Sequence, residues 1–155
     1  PLPQLQEDPP MSERFQSILA RVEDAGVYHM PAGVEDALIA AAEHNGYLVF
    51  RVDLAKARDE DQLLEIIGRS MAFPEWFGHN WDALLDCLAD LGWRPAEGYM
   101  VMLEHCDGIH GRAEADFVQT LQVFESAANE WREQGIAFWC FVDMQADGIN
   151  WLTDI

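Results

Sequence analysis

Basic residues are scarce in this sequence of 155 residues. Lys and Arg number 9 against 28 Asp and Glu, which gives a formal net charge of −19 at pH 7. Proteins that bind nucleic acid need clustered cations for the phosphates, and here the acidic residues are spread along the whole chain. The composition therefore argues against direct binding of nucleic acid and favours a basic protein as the partner.

Cysteines are few, and long apolar runs are absent. Cys87, Cys106 and Cys140 are an odd number without the spacing of a disulfide framework, as expected for free structural thiols in a reducing compartment. No run approaches the roughly 18 apolar residues that indicate a membrane-spanning helix. The N-terminus lacks the basic-then-apolar layout of a signal peptide. We therefore expect a cytoplasmic protein with no membrane partner.

Motifs of catalysis and cofactor binding are also absent. There is no glycine-rich phosphate loop and no nucleophile elbow. We expect no metal, no cofactor and no catalysis, and an enzyme that uses a carboxylate pair as acid and base is the least favoured class. Two groups of candidate ligands lack zinc-site spacing: His105, Cys106 and His110, and His79, Asp82 and Asp86.

Half of the residues are apolar, which suits one compact domain with a real core. Residues 1–10 hold four of the seven prolines and no periodicity, so we interpret them as a disordered or added segment. Two stretches with helical spacing follow, one ending near Gly26 and one at Asn45. They predict an N-terminal helical extension, residues 11–45, that covers the domain.

Residues 46–142 alternate between strand and helix patterns. Between the strands we predict a helix capped by Asp59 or Asp61, a second short helix, a loop at 105–111 and a long helix at about 113–133. Strands separated by helices pair in parallel, so the fold class is α/β with a small parallel sheet of about three strands packed with helices. The predicted strands are residues 47–52, 99–103 and 136–142.

The C-terminal residues 143–155 follow the last predicted strand. Trp151 and Leu152 are large apolar residues within this short stretch. We expect this tail to pack back onto the domain through these two side chains.

The most distinctive stretch is residues 73–88, which is dense in aromatic residues. Pro74 and Gly78 favour a tight turn, and Asn80 stands where its side chain can cap the helix that follows. The predicted helix has two faces. Its apolar face carries Trp81, Leu84, Leu85, Leu88 and Leu91, and its other side carries an acidic ridge of Asp82, Asp86 and Asp90.

The acidic ridge is unfavourable for the helix itself. Like charges four residues apart repel by about 0.2–0.5 kcal/mol per pair, and only Asp82, in the first turn, gains from the helix dipole. One explanation is a solvated acidic face on a very acidic protein. The other is a docking surface for a cationic partner.

Residues 73–88 resemble the corresponding segment of the barstar family, intracellular inhibitors of the bacterial ribonuclease barnase. The pattern Pro-Glu-aromatic-aromatic-Gly-X-Asn-X-Asp-Ala-Leu-X-Asp-Cys-Leu is intact. A weaker similarity lies at Leu121-Gln122-Val123-Phe124, and the predicted order of strands and helices fits from about Gly46 to Val142. The resemblance covers about two thirds of the chain and implies a barstar-like fold.

The resemblance also implies a function and a binding site. Asp82 and Asp86 match two acidic residues that, in this family, replace RNA phosphates in the active site of a basic ribonuclease. The resemblance therefore favours the explanation that the acidic ridge is a docking surface for a cationic partner. Phe77 is expected in the core, and His79 is either a solvated loop residue or a group that tunes binding with pH. The expected partner-binding residues are Trp76, Gly78, His79, Asn80, Trp81, Asp82, Asp86 and Asp90.

Two departures from the family pattern bear on specificity. A further acidic contact on the long helix falls at Ser126, while its neighbour Glu125 points about 100° away. Leu85 replaces an aromatic residue of the motif helix. Because specificity depends on such positions, we expect a cognate ribonuclease other than barnase. The alternative is a module of the same fold for another basic partner, such as a toxin domain that is not a ribonuclease.

Overall fold

A computed structural model describes residues 11–144 and 150–152. The predicted segment 1–10 and part of the predicted tail lie outside these ranges. The helices are α1 (Met11–Leu19), α2 (Glu35–His44), α3 (Glu60–Ser70), α4 (Trp81–Asp90), α5 (Cys106–Arg112) and α6 (Glu114–Glu133). The strands are β1 (Val27–His29), β2 (Leu48–Asp53), β3 (Gly98–Glu104), β4 (Ala137–Val142) and β5 (Asn150–Trp151), and a short 3-10 turn spans Val22–Asp24.

The strands form one sheet in the order β2-β3-β4-β1-β5, and every pairing in the described ranges is parallel. The α/β class with a parallel sheet is confirmed. The predicted number of about three strands is too low, because the sheet has five. The two missed strands, β1 and β5, have 3 and 2 residues, too few to display a periodicity.

Helices cover both faces of the sheet. One core lies between the sheet and α3, α4, α5 and α6, and it includes Val101 of β3 and Cys140 of β4. The other lies between the sheet and α1 and α2, and it includes Met102 of β3 and Phe141 of β4. Neighbouring residues of one strand thus enter opposite cores, as a sheet buried on both sides requires.

The N-terminal residues are tied to the rest of the chain by hydrogen bonds at the end of α1. The backbone oxygen of Leu19 accepts hydrogen bonds from Trp139 Nε1 at 3.0 Å and from Tyr47 Oη at 2.8 Å. The prediction that the first helix ends near Gly26 is wrong, because α1 ends at Leu19 and the chain then turns into β1. At the other terminus, Leu152 is 1 % exposed and belongs to the same core as α1 and α2.

The predicted loop at 105–111 is instead the helix α5 (Cys106–Arg112). Its start is stabilised from a distant part of the chain, because the carboxylate of Asp143 accepts hydrogen bonds from the backbone N–H groups of His105 at 2.6 Å and Cys106 at 3.1 Å. Gly108 and Gly111 lower the local helix propensity. The hydrogen bonds from Asp143 compensate for this low helix propensity. They come from a distant part of the chain, so a local sequence pattern cannot predict them.

The three cysteines are free and buried, as predicted. Burial raises the pKa of all three thiols, that of Cys87 to about 11, so none is a thiolate near neutral pH. Within the described ranges, no helix combines the length and the apolar character needed to cross a membrane.

A carboxylate pair links α2 to the end of β3. Arg51 of β2 contacts Glu104 through Nη2 at 2.7 Å and Nε at 3.0 Å, and Nη2 lies 3.4 Å from Glu35. The hydrogen bond with Glu104, together with burial and the charge of Glu104, raises the pKa of Glu35 to about 7. Although burial opposes it, hydrogen bonds with Glu35 and Arg51 lower the pKa of Glu104. Below about pH 7 the pair therefore shares one proton, carried by Glu35.

Glu35→Gln should flatten the pH dependence of stability. Between the ordinary pKa of 4.5 and about 7, the folded chain holds a proton on Glu35 that the unfolded chain has lost, so this group's contribution to stability falls as pH rises through that window. Glutamine keeps the hydrogen bond and does not titrate. Urea unfolding at several pH values between 5 and 8 measures the slope. Glu43→Gln on the same helix is the control, and an unchanged slope in Glu35→Gln would contradict the assignment.

Leu38→Ala should lower the free energy of unfolding by about 2–5 kcal/mol, because a buried leucine leaves a cavity. Leu38 of α2 is 0 % exposed against the sheet. Val118→Ala is the control, since Val118 is 37 % exposed and its truncation should change stability by less than about 0.5 kcal/mol. Chemical denaturation measures the free energy of unfolding of both variants. If Leu38→Ala lowered it as little as Val118→Ala does, α2 would not contribute to the core.

Candidate functional site

Helix α4 begins at a capped turn. Asn80 is extended (φ −140°, ψ 172°), and its Oδ1 accepts a hydrogen bond from the backbone N–H of Ala83 at 2.7 Å. Its Nδ2 donates to the backbone oxygen of Gly78 at 3.4 Å. The predicted cap is confirmed. Because both groups of the Asn80 amide are used locally, this side chain fixes the angle between the loop and the helix.

The inner face of α4 packs against α6. Leu84, Cys87 and Leu88 are fully buried. Trp131 of α6 donates a buried hydrogen bond from Nε1 to the backbone oxygen of Leu88 at 2.7 Å, so it satisfies a carbonyl in the last turn of α4. Leu91, the residue that follows the helix, is buried and adopts the left-handed conformation with φ 46°. These contacts fix the rotation of α4 about its axis.

The outer face of α4 carries the acidic ridge. Asp82, Asp86 and Asp90 are exposed. Oδ1 of Asp90 accepts a hydrogen bond from the backbone N–H of Gly92 at 3.2 Å, so this carboxylate closes the end of the helix. Among the residues that the structure describes, Asp82 and Asp86 make no ion pair and no side-chain hydrogen bond. These two carboxylates are therefore available to a partner.

The loop before α4 presents one tryptophan to solvent and buries the next residue. Trp76 is 58 % exposed, so it does not plug the start of the helix against the core. Phe77 is 7 % exposed, so the prediction that it belongs to the core is confirmed. Gly68 of α3 permits this packing, since a Cβ there would lie 3.1 Å from the Phe77 ring.

The remaining predicted loop residues differ in exposure. Gly78 and His79 are exposed, whereas Trp81 is partly buried against the core. His79 adopts the left-handed conformation with φ 53°, and its ring centroid lies 4.7 Å from that of Phe77. The structure thus brings all eight predicted residues onto α4 and its preceding loop. Asp90 and Asn80 already have local hydrogen-bond partners.

Two features of this surface are not evident in the sequence. Trp93, which follows α4, supports the exposed tryptophan, since its ring meets that of Trp76 edge-on at 6.0 Å and that of Phe73 at 5.9 Å. A groove of about 260 Å³ also lies between α4 and α6. It is lined by Trp81, Asp82, Leu85, Gln119, Gln122, Val123 and Ser126. In the sequence, the partial similarity at 121–124 and the departure from the family pattern at Ser126 pointed to this part of α6.

The groups first considered as metal ligands do not form a site. Across residues 11–144 and 150–152, no three His, Cys, Asp or Glu side chains are placed to hold a metal ion together. His105 instead pairs with Asp53, with 2.8 Å between Nδ1 and Oδ1, and this hydrogen bond raises the pKa of His105. The thiol of Cys106 donates to the backbone oxygen of Leu103 at 3.3 Å.

The fold and this surface describe an α/β domain that exposes a fixed, acidic helix. The sequence matches the family model described as Barstar (barnase inhibitor) over residues 47–143, which is more than half of the chain. The chain belongs to the barstar family. This match begins at the residue before β2 and ends just after β4, so it includes α4 and α6. A search of curated proteins found no match.

Asn80→Ala should lower the free energy of unfolding by about 0.5–2 kcal/mol, because the N–H of Ala83 loses its acceptor. Asn80→Asp keeps a side-chain oxygen at the cap and should retain most of the stability. Thermal and urea unfolding of the three proteins measures both effects. Equal stability of Asn80→Ala and the wild type would show that the cap does not hold the start of α4.

Proposed function

We propose that this chain inhibits a basic ribonuclease by blocking its active site with α4 and the loop before it. Asp82 and Asp86 take the places of RNA phosphates, and Trp76 contacts the rim of the cleft. The observation that carries the proposal is the pair of exposed, unpaired carboxylates on a rigidly held helix in a member of a family of barnase inhibitors.

The chemistry of the two carboxylates suits this role. An ionised carboxylate accepts hydrogen bonds only and can take two parallel bonds from one guanidinium, as a phosphate does. Residues four apart on a helix lie on the same side with Cβ atoms about 6 Å apart, so Asp82 and Asp86 present two acceptor groups to one cleft. The cap at Asn80 and the buried face of α4 hold them in place before binding, which limits the entropy lost in the complex.

The overall charge supports fast association with a basic partner. A net charge of −19 attracts a cationic protein over a distance of about one Debye length, roughly 8–10 Å at physiological ionic strength. The same charge disfavours direct binding of nucleic acid. Three buried thiols suit a reducing environment, and we place the inhibitor in the cytoplasm, where it would protect the cell that makes the ribonuclease, as an immunity protein does.

The second candidate is a binding module for a basic toxin domain that is not a ribonuclease. The observation that favours it is the exposed, neutral Ser126 on α6, at a position where the family pattern has an acidic contact. A partner without a ribonuclease cleft would still be attracted by the acidic ridge. Inhibition assays on ribonucleases separate the two candidates.

We further propose that residues 11–45 have a structural role and lie outside the partner interface. Helices α1 and α2 pack on one face of the sheet, and α4 packs on the other. Strand β1 lies inside the sheet, between β4 and β5. The family match begins after these residues, at 47. Residues 11–45 would then be an addition that completes the core between the sheet and helices α1 and α2.

Asp86→Asn should weaken inhibition by about 2–5 kcal/mol, because a buried cation of the ribonuclease loses its countercharge. This range is the general one for removing one partner of a buried charge pair at a protein interface; the barnase–barstar pair, a worked example of such contacts, gives coupling energies of about 1.5–7 kcal/mol. The folded state should be unaffected or slightly more stable, since repulsion with Asp82 and Asp90 is removed. Titration of barnase and of secreted basic ribonucleases from the same source, with RNA hydrolysis as the readout, measures the change.

Glu43→Gln is the matched control. It removes the same charge from an exposed position on α2, across the sheet from α4. Any long-range electrostatic effect should therefore appear in both variants, whereas the loss of a direct contact should appear only in Asp86→Asn. Equal inhibition by Asp86→Asn and Glu43→Gln would contradict the phosphate-mimic mechanism. No inhibition of any ribonuclease by the wild type would favour the second candidate.

A further inference from the structure

The outer edge of the sheet, at β2, carries unpaired backbone groups. Strand β2 is the first in the order β2-β3-β4-β1-β5, so β3 is its one neighbour among the described strands. The N–H of Leu54, which follows β2, donates to the backbone oxygen of Glu104 in β3 at 2.8 Å. Because the backbone groups of successive residues in an extended strand point to opposite edges, those of Val49, Arg51 and Asp53 point away from β3. Their N–H and C=O groups form a free sheet edge.

A pocket of about 320 Å³ lies along this free edge, and its lining is mainly basic. It extends from β2 across the loop that follows to α3. Three of its lining residues are cationic, although the whole chain has only 9 Lys and Arg against 28 Asp and Glu. A third of the cations of a strongly acidic protein therefore meet at one place. The lining includes Arg51, Asp53, Lys56, Ile66, Arg69 and Ser70.

Two of these three cations are available to a ligand. Lys56 is exposed and, in the described part of the chain, makes no ion pair and no hydrogen bond. Arg69 has a long contact with Glu65, with 3.7 Å between Nη1 and Oε1, and both side chains are mostly exposed. A surface pair of this kind contributes little to stability, so a ligand can replace it. Arg51, in contrast, is held by Glu104 at 2.7 Å.

The loop that carries Lys56 is fixed by hydrogen bonds. Arg112 of α5 donates from Nη2 to the backbone oxygen of Ala57 at 2.8 Å, so a further cation holds the loop. The acidic residue of the pocket is also engaged, because Oδ1 of Asp53 lies 2.8 Å from Nδ1 of His105. Lys56 is therefore presented on an ordered loop, and no carboxylate of the described residues is paired with it.

A basic sheet edge has two explanations. Charged side chains on an edge strand prevent it from pairing with other chains, and solubility alone could require this. Acidic residues would serve the same purpose, however, and this chain has three times as many of them as cations. The choice of cations at this edge instead favours an acidic occupant. It also disfavours edge-to-edge pairing of two copies of this chain, because the two basic edges would repel each other.

We propose that β2 receives an extended, acidic segment of a partner protein, which adds a strand to the sheet. The segment's backbone pairs with the free groups of Val49, Arg51 and Asp53, as in other cases of strand addition. One of its carboxylates accepts charge-assisted hydrogen bonds from Lys56 and Arg69. The pocket contains no residue of α4 or of the loop before it, so this surface goes beyond the proposed inhibition of a ribonuclease and does not depend on it.

The test uses the full chain and a labelled heptapeptide of alternating glutamate and valine. Fluorescence anisotropy measures its Kd, and NMR measures the exchange of backbone amide hydrogens in the chain. With nine-tenths of the chain bound, exchange at the outward N–H groups of Val49, Arg51 and Asp53 should slow about tenfold, because only the free chain exchanges. Phe50 and Val52, whose N–H groups already face β3, should not change. Unchanged exchange at the three outward groups in the bound state would overturn strand addition.

Two control peptides separate strand addition from attraction between charges. The first is the same peptide methylated at its backbone nitrogens, which keeps the charge and loses the N–H donors. The second has lysine in place of glutamate, which keeps the strand-forming pattern and reverses the charge. Both should bind about tenfold more weakly or worse. Equal binding of either control would overturn the inference, and so would the absence of saturable binding by the glutamate peptide, since the cations would then only keep the edge unpaired.

Lys56→Gln and Arg69→Gln test the charge contacts in the pocket. Both side chains are exposed, so both variants should fold. Each should raise the Kd of the glutamate peptide by about two- to fivefold, the effect of losing one partly exposed ion pair. Arg14→Gln, at an exposed position of α1, removes the same charge outside the pocket and should leave the Kd nearly unchanged. The same Kd in all three variants would contradict the assignment of the carboxylate to this pocket.

Discussion

The interaction on which the site depends is the packing of α4 against α6. Three fully buried side chains, Leu84, Cys87 and Leu88, and the hydrogen bond from Trp131 to the Leu88 carbonyl fix one rotation of the helix. Because the faces of a helix are rigidly related, that rotation alone decides which residues meet solvent. The outward position of Asp82 and Asp86 is therefore a consequence of core packing.

The acidic ridge destabilises α4 locally, and the packing of the helix against the core offsets this effect. Three carboxylates on consecutive turns repel one another, and within the described residues no ion pair compensates Asp82 or Asp86. The cap at Asn80 and the buried face supply the stability that this repulsion removes. Such disagreement between local preference and tertiary structure is expected at functional positions. His79, a non-glycine residue with φ 53°, is a second example in the adjoining loop.

The sequence contained the local part of this structure. The cap at Asn80, the burial of Phe77 and the strands β2, β3 and β4 follow from short-range patterns, and all are observed. The features that were missed depend on distant contacts. Helix α5 needs the carboxylate of Asp143, and β1 and β5 exist because neighbouring strands supply their hydrogen bonds. The ring contact between Trp93 and Trp76 also forms only when separate elements meet. The same holds for the groove between α4 and α6.

In the proposed mechanism, α4 occupies the place of RNA in a ribonuclease. The most direct measurement is the dependence of inhibition on RNA concentration, with the wild-type chain and a basic ribonuclease that it inhibits. If Asp82 and Asp86 stand in for phosphates, inhibitor and RNA exclude each other, and the apparent inhibition constant rises in proportion to substrate above KM. An inhibition constant independent of RNA concentration would contradict the account, because it would place the chain outside the substrate cleft.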